Sequence, residues 1–317
     1  MRHRWFLILS LLLLAVLMAL SSLFGAIRLP LDQMWKEPVF LNIRLPRIVL
    51  SVLAGMALSS AGATYQAVFR NPLTDPYVLG VSSGASLGAA IAIVVGLQYS
   101  LLGIGGCALL TALLTVGIIY RIASIGNRLH STTLLLTGVC FTFLISALVS
   151  MLMVFHQDKM ERIIFWTMGS FAGATWESVA VLLPVVLVGL AGILGHSRDL
   201  NLMIVGAEAA QSMGVDVVRV KRRMLLLTTL TVAFTVSCSG VIGFVGLVVP
   251  HCIRLVTGAD NRKVLPYSIV YGGIFVLVCD TLARTVATPG ELPVGSLTAL
   301  VGAPLFVLLL YRSHRYL

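Results

Sequence analysis

The chain has 317 residues, of which 58% are hydrophobic and 11% charged, and its mean hydropathy is +1.01. Soluble domains carry about 25% charged residues, so this composition excludes a soluble protein and indicates a membrane protein. The formal net charge of +10 does not indicate nucleic-acid binding, because a basic excess in a multi-pass protein usually lies in cytoplasmic loops that face anionic membrane lipid.

Apolar runs bounded by charges, prolines or polar clusters predict ten membrane spans. A spanning helix needs about 20 residues, so ten spans leave only short connections and imply one polytopic domain, 1–317, without a built-in ATPase. The first run is longer than a signal-peptide core, and we expect it to be retained as a span. The predicted spans are 5–27, 46–67, 78–97, 101–120, 132–154, 177–195, 224–240, 242–258, 264–283 and 295–311.

Ten spans place both termini on one side of the membrane. If that side is the cytoplasm, the 22 Lys and Arg residues favour the cytoplasmic side by roughly two to one, as the positive-inside rule requires. We therefore expect an all-α membrane protein with about ten transmembrane helices and both termini in the cytoplasm.

Three arginines lie at the predicted outer ends of spans: Arg44 and Arg47 beside the second span, and Arg284 at the end of the ninth. Guanidinium groups pair well with carboxylates, so these residues are candidates for docking an acidic partner, while interfacial anchoring is the alternative. Asp280 lies four residues before Arg284. An ion pair between these two residues would compete with docking.

Two prolines, Pro72 and Pro76, stop the helices on either side of the loop 70–76, between the second and third spans. Asn71 and Asp75 are placed to satisfy free backbone groups, which predicts a rigid loop. Either a gate at the end of a pore or a plain tight turn fits this pattern. Further on, residues 155–176 mix charges with large apolar side chains and predict an interfacial helix.

The segment 196–223 is too polar to span the membrane and too long for a turn. Residues 207–213 are rich in helix formers, Gly214 is placed to end that helix, and Val215 onward can begin a second short helix. A docking surface and a solvated loop are both compatible with this sequence. The stretch 224–256 that follows is too long for one helix and too short for two full spans, which predicts a broken helix at its glycines.

The six histidines and five cysteines are scattered without metal-type spacing. No acid/base set converges by sequence either. We expect no metal site, no cofactor and no catalytic residues, and therefore a protein that is not an enzyme.

Several long runs closely resemble the membrane subunits of the iron-siderophore, haem and cobalamin importers, the FecCD-type, large type II ATP-binding-cassette (ABC) permeases. The resemblance covers nearly the whole chain in the family's order. It rests on residues 44–89 and on WTMGSFAGATW (166–176), GAEAAQSMGVDV (206–217), GVIGFVGLVVPHCIRLVTGADNRKVLP (240–266) and ELPVGSLTALVGAPLFVLLLYR (291–312).

The resemblance implies ten helices, with the second to fifth and seventh to tenth spans forming an inverted repeat. It also implies a second copy of the permease, two ATPase subunits and a periplasmic or lipoprotein substrate-binding protein, all at a bacterial or archaeal cytoplasmic membrane. The residues 206–222, here named the coupling segment, match helices that dock on the ATPase, with contacts expected at Gly206, Glu208, Gln211, Gly214 and Val215.

The remaining site residues also come from the resemblance. Arg44 and Arg47, and more weakly Arg284, match outer arginines that pair with the binding protein. The fifth span resembles a helix that lines the path, at Thr137, Cys140, Phe141 and Leu144. Two cytoplasmic gates are implied, the first at Asn71 and Leu73 and the second at His130, Ser131, Thr132 and Thr133. We name the residues 70–76 and 130–133 the first and second gate segments.

The expected function is that of a permease subunit for a bulky metal chelate, an iron-siderophore or haem, with cobalamin as the alternative cargo and a metal oxyanion such as molybdate after it. An ion-coupled secondary transporter is the alternative from another class. It would need acidic residues in the transport path, and the sequence offers only Asp280 well inside a span.

Overall fold

The structure is a computed structural model that describes residues 2–25, 37–97, 103–125, 128–129, 131–287 and 290–313. These residues form thirteen α-helices and a short hairpin of two antiparallel strands, β1 (Ser124–Ile125) and β2 (Arg128–Leu129). The helices are α1 (Arg2–Leu23), α2 (Leu45–Phe69), α3 (Val81–Val95), α4 (Gly103–Ala123), α5 (Ser131–Phe155), α6 (Met160–Thr167), α7 (Trp176–Gly195), α8 (Ser197–Val205), α9 (Ala207–Ser212), α10 (Val217–Ser239), α11 (Val245–Thr257), α12 (Asn261–Val286) and α13 (Val294–Ser313).

Each of the ten predicted spans coincides with one helix, which are α1 to α5, α7 and α10 to α13. Three shorter helices, α6, α8 and α9, lie between them. Within the described part of the chain, six helical stretches are long and apolar enough to cross a membrane: Trp5–Leu23, Phe40–Phe69, Gly103–Ala123, Ser131–Phe155, Trp176–Gly195 and Asn261–Val286. The helices α3, α11 and α13 supply shorter apolar stretches.

Helix α2 forms the centre of the bundle, preceded by one turn of π-helix at Phe40–Arg44. Its side chains are almost all buried, and it packs against α7, α10, α11 and α12. Small residues at the contacts allow the backbones to approach closely, as is usual between membrane helices. A Cβ atom on Gly55 would overlap the carbonyl group of Gly272 in α12, and one on Gly62 would overlap that of Gly246 in α11.

The predicted break in the stretch 224–256 is confirmed, because α10 ends at Ser239 and α11 begins at Val245. Gly240 and Phe244 adopt positive φ angles of 68° and 66°. The Tyr77 hydroxyl donates to the carbonyl oxygen of Ile242 at 3.0 Å and accepts from the Ile242 N–H at 3.2 Å. Backbone groups freed by the break are thus satisfied inside the protein, as non-helical backbone at membrane depth requires.

The predicted helix within 155–176 is present as α6, which follows a single 3₁₀ turn at Gln157–Lys159. Ile163 points into the core and Trp166 is half-buried, whereas Glu161 and Arg162 are exposed. Lys159 Nζ donates to the carbonyl oxygen of Val94 at 2.7 Å, which holds this segment against the end of α3.

The Gly55–Gly272 contact makes a testable prediction about packing. Gly55→Leu should lower the free energy of unfolding by about 1–3 kcal/mol, and with it the melting temperature, or prevent folding, because the new side chain has no space beside α12. The matched control is Gly117→Leu in α4, where a Cβ atom meets nothing within 4 Å. Melting followed by tryptophan fluorescence in detergent is the measurement, and equal melting temperatures for the two variants would contradict the prediction.

Candidate functional site

The three predicted outer arginines converge on one charged cluster between the beginning of α2 and the end of α12. Arg47 forms a two-pronged contact with Asp280, with Nε and Nη2 each 2.9–3.0 Å from Oδ1. Its remaining nitrogen, Nη1, lies 2.9 Å from both carboxylate oxygens of Glu291. Arg47 is 6% exposed and Asp280 is fully buried. The outer arginine cluster thus consists of Arg44, Arg47, Asp280, Arg284 and Glu291.

The other two arginines of the cluster are also buried. Arg44 Nη1 donates to the carbonyl oxygen of Ser22 at 3.0 Å, and Arg284 Nη2 donates to that of Ser21 at 2.7 Å. The predicted ion pair between Asp280 and Arg284 is present at 3.8 Å, but Arg47 is the closer partner of Asp280. Three guanidinium groups face two carboxylates, so the cluster keeps an excess of positive charge.

The burial of these arginines changes the expected picture of docking. The sequence suggested guanidinium groups at the protein surface, whereas the structure holds them in an internal network. A cleft of about 200 Å³ nevertheless opens onto the cluster, lined by Gly25, Val39, Ile43, Arg44, Arg47, Arg284 and Glu291. Docking at these arginines stays a prediction, and an acidic partner would reach them through this cleft.

The first gate segment forms the rigid loop that the sequence predicts. Arg70 ends α2 in a left-handed conformation with φ of 50°. The Asn71 side chain accepts from the Leu73 N–H at 2.9 Å, and Asp75 accepts from the Tyr77 N–H at 2.8 Å, starting a 3₁₀ turn at Pro76–Leu79. Burial raises the pKa of Asp75 to about 6, although the Tyr77 hydrogen bond opposes the shift. Asn71 and Leu73 are exposed.

The second gate segment is described from Ser131 onward, and His130 lies outside the described residues. Ser131 begins α5, with Thr132 exposed and Thr133 half-buried. Helix α5 packs closely against the 3₁₀ turn that follows the first gate segment, because Gly138 has no room for a side chain against the carbonyl group of Val78.

The coupling segment contains α9 and the first turns of α10. Gly206 has φ of 157° and ψ of 152°, a conformation that other residues rarely adopt. Gly214, with φ of 85°, follows α9, which confirms its predicted role in ending that helix. Glu208, Gln211 and Gly214 are exposed, whereas Gly206 and Val215 are half-buried.

The prediction of a second short helix after Val215 is wrong. Val217 begins α10, which continues without interruption to Ser239. The Asp216 side chain caps this helix, and its basic first turns, which contain Arg219 and Lys221, run directly into apolar sequence.

The short helix that the sequence did not reveal is α8, before Gly206. Asn201 in α8 donates to Asp260 at 2.6 Å. Burial alone would raise the pKa of Asp260. The pKa is nevertheless lowered, because Asp260 accepts hydrogen bonds from Asn201 and the Arg262 N–H and lies near the positive charges of Arg262 and Lys263.

The predicted lining residues of α5 divide between two environments. Cys140 and Leu144 are exposed, Thr137 is half-buried, and Phe141 packs inward against buried side chains of the core. Beside them, a groove of about 320 Å³ lies between α3 and α5. Its walls carry no charge and combine four apolar side chains, Ile145, Val149, Met153 and Val241, with seven hydroxyl groups. The hydroxyl groups belong to Ser82, Ser83, Ser86, Thr142, Ser146, Ser150 and Thr167.

The outer arginine cluster makes a testable prediction about stability. Asp280→Asn should lower the free energy of unfolding by roughly 3 kcal/mol or more, because Arg47 loses its principal partner while remaining buried. The control is Arg219→Ala, which removes the exposed ion pair between Arg219 and Asp216 and should cost no more than about 1 kcal/mol. Thermal unfolding in detergent measures both variants, and a similar loss in each would contradict the assignment of Asp280.

Comparison with known proteins identifies relatives along almost the whole chain. The cobalamin import system permease protein BtuC of Halobacterium salinarum is 44% identical over 269 residues, which cover 85% of this chain and 72% of the relative. The hemin transport system permease protein HmuU of Yersinia pestis is 39% identical over 327 residues, which cover 96% and 95% of the two chains.

The fold has a matching solved structure. It is that of an ABC transporter assigned to the metal-chelate type, in an inward-facing conformation, and it superposes with a TM-score of 0.90 at 33% identity, over 98% of this chain and 99% of that one. The all-helical fold class expected from the sequence is thereby confirmed. The model of the FecCD transport family matches residues 6–312, and the chain therefore belongs to that family.

Proposed function

We propose that this chain is the permease subunit of an ABC importer that moves a bulky metal chelate across the membrane. The observation that carries the proposal is similarity over nearly the full length, both to transport permeases and to a solved ABC transporter of the same fold. Members of this family are transport components of the cytoplasmic membrane of bacteria and archaea and not enzymes. ATP hydrolysis then belongs to two separate ATPase subunits, and a second permease copy completes the path.

The structure supports this proposal by the placement of its candidate sites. The outer arginine cluster lies at one end of α12, and Asp260, which binds α8, lies immediately before the other end. Helix α12 thus connects the expected docking site of the binding protein with α8, the helix that directly precedes the coupling segment. Such a continuous, tightly packed helix is a physical route for coupling the two sites.

An iron chelate, either a siderophore complex or haem, is the proposed cargo, with cobalamin as the alternative. The two relatives compared above are named for cobalamin and hemin and support this class, whereas a third relative, 33% identical, is named for molybdate, so the relatives do not select one cargo. The uncharged groove beside α5, lined by hydroxyl groups and apolar side chains, suits a pathway that must release its cargo, because neutral groups bind less tightly than charged groups.

An ion-coupled secondary transporter is less well supported. Among the described residues, Asp280 is the one carboxylate that is buried within a spanning helix, and Arg47 holds it at 2.9 Å. A carboxylate fixed in this way is poorly placed to take up and release ions during transport.

Reconstitution tests the proposed function directly. The chain, copurified with its ATPase in lipid nanodiscs, should show ATPase activity that rises when the binding protein carries haem, a ferric siderophore or cobalamin. The cargo that gives stimulation identifies the substrate class. Failure of any ATPase to copurify would overturn the proposal, and ion-driven uptake by the chain alone would establish the secondary-transporter function.

The geometry of Glu291 suggests how docking proceeds. Glu291 is the more exposed carboxylate of the cluster, with 38% of its side chain accessible, and it grips Arg47 through both oxygens. An acidic side chain of the binding protein would need this same guanidinium edge. We therefore expect Glu291 to compete with the binding protein for Arg47, while Asp280 keeps Arg47 in place.

This competition predicts two opposite effects on affinity. Glu291→Gln should tighten binding of the binding protein by about two- to fivefold, because the competing charge is removed. Arg44→Glu should weaken binding, because it reverses the attraction at the same cleft. Glu177→Gln, at an exposed carboxylate at the start of α7, is the matched control. Binding to the permease in nanodiscs is measured by biolayer interferometry, and weaker binding by Glu291→Gln would contradict the competition.

A further inference from the structure

One lysine near the start of α10 contacts the helix end beside each gate segment. Lys221 Nζ donates to Ser131 Oγ at 2.6 Å, and Ser131 is the first residue of α5. The same ammonium group lies 5.8 Å from the centre of the Phe69 ring, at the last residue of α2. Phe69 directly precedes the first gate segment. A single charged group thus contacts the two helix ends that carry the two gates.

Both contacts of Lys221 can hold the end of α2 and the beginning of α5 in place. A hydrogen bond from an ammonium group is stronger than one between neutral groups. A cation over an aromatic face adds attraction when it is partly withdrawn from water, and Lys221 is half-buried. Both contacts depend on the charge, so a neutral side chain of similar length would lose them together.

A neighbouring contact strengthens this junction. Arg222 Nε donates to the Tyr120 hydroxyl at 3.1 Å, near the end of α4. The hairpin β1–β2 follows α4 and leads into the second gate segment. Two consecutive residues of α10 therefore hold both the beginning of α5 and the helix that precedes it.

The junction is tightly connected to α9 in the coupling segment. Only residues 213–216 separate α9 from α10. The Val215 N–H donates to the Ala210 carbonyl oxygen at 3.0 Å, and Asp216 caps α10 by accepting from the Arg219 N–H at 3.0 Å. With so few residues between them and with these hydrogen bonds across the connection, a displacement of α9 would carry the beginning of α10 with it.

We propose that Lys221 is a positioning residue that transmits movement of the coupling segment to both cytoplasmic gate segments. The inference rests on the proposed function, since it assumes that an ATPase moves α9. It adds the side chain through which that movement reaches Ser131 and Phe69. Loss of Lys221 uncouples the gates from ATP hydrolysis, while the ATPase remains bound to the exposed surface of α9.

The test uses the complete transporter in proteoliposomes, with haem, ferric siderophore or cobalamin on the binding protein. ATP hydrolysis and uptake are measured together for the wild type, Lys221→Met, Lys221→Arg and the control Arg223→Met. Arg223 is exposed on the same turn of α10. Lys221→Met should keep its ATPase and lower the cargo transported per ATP by about three- to tenfold. Lys221→Arg should restore most of the coupling, and Arg223→Met should resemble the wild type.

Ser131→Ala provides a second route to the same answer if Lys221→Met does not assemble. It removes the acceptor and should also lower transport per ATP, and its effect should not add to that of Lys221→Met. Normal uptake per ATP in Lys221→Met, or in Ser131→Ala when the lysine variant does not assemble, would overturn the role of Lys221 alone. Absence of cargo-dependent hydrolysis and uptake in the wild type would overturn the proposed function as well.

Discussion

The close contact between α2 and α12 is the constraint on which the other structural features depend. Gly55 and Gly272 bring the two backbones together, and this proximity allows Arg47 to reach Asp280 near the outer end of the pair. The contact leaves α2 surrounded by other helices, so its polar groups must find partners inside the protein. Gln66 meets this requirement by donating to the Gly246 carbonyl oxygen at 3.2 Å and accepting from Arg254.

The bundle therefore combines two kinds of interaction with different properties. Packing between small residues is sensitive to shape and insensitive to salt, because it depends on contact distances. The outer arginine cluster and the lysine junction depend on charge and on the nearby dielectric. Both charged sites occur at helix ends, at opposite ends of the membrane-spanning structure. This distribution keeps the centre of α2 free of charged side chains while placing charges where partner proteins are expected.

Much of the architecture was accessible from the sequence. Hydropathy predicted ten segments that each form a helix in the structure, and the glycines in 224–256 predicted the break at Gly240. Asn71 and Asp75 indicated the hydrogen bonds of the first gate segment correctly, because these bonds are local. The helix α8 was missed because its nine residues are too few to establish a helical hydrophobic period.

The partners of charged residues were much harder to predict. Arg47 and Asp280 are 233 positions apart, and sequence spacing pointed instead to Arg284, four residues from Asp280. Lys221 has Arg219, Arg222 and Arg223 as its charged neighbours in the sequence, and only the fold places Ser131 beside it. Hydropathy shows which segments enter the membrane, but it contains no information about which helix ends meet.

The two hydrogen bonds of the Tyr77 hydroxyl have a consequence for how a pathway through this protein can open. Tyr77 lies in the 3₁₀ turn that follows the first gate segment, and its partner Ile242 lies in the break between α10 and α11. The Tyr77 hydroxyl both donates to and accepts from the backbone of Ile242, so two hydrogen bonds hold this turn and the break together. Separating the turn from the break would cost both hydrogen bonds, so we expect the two segments to move together.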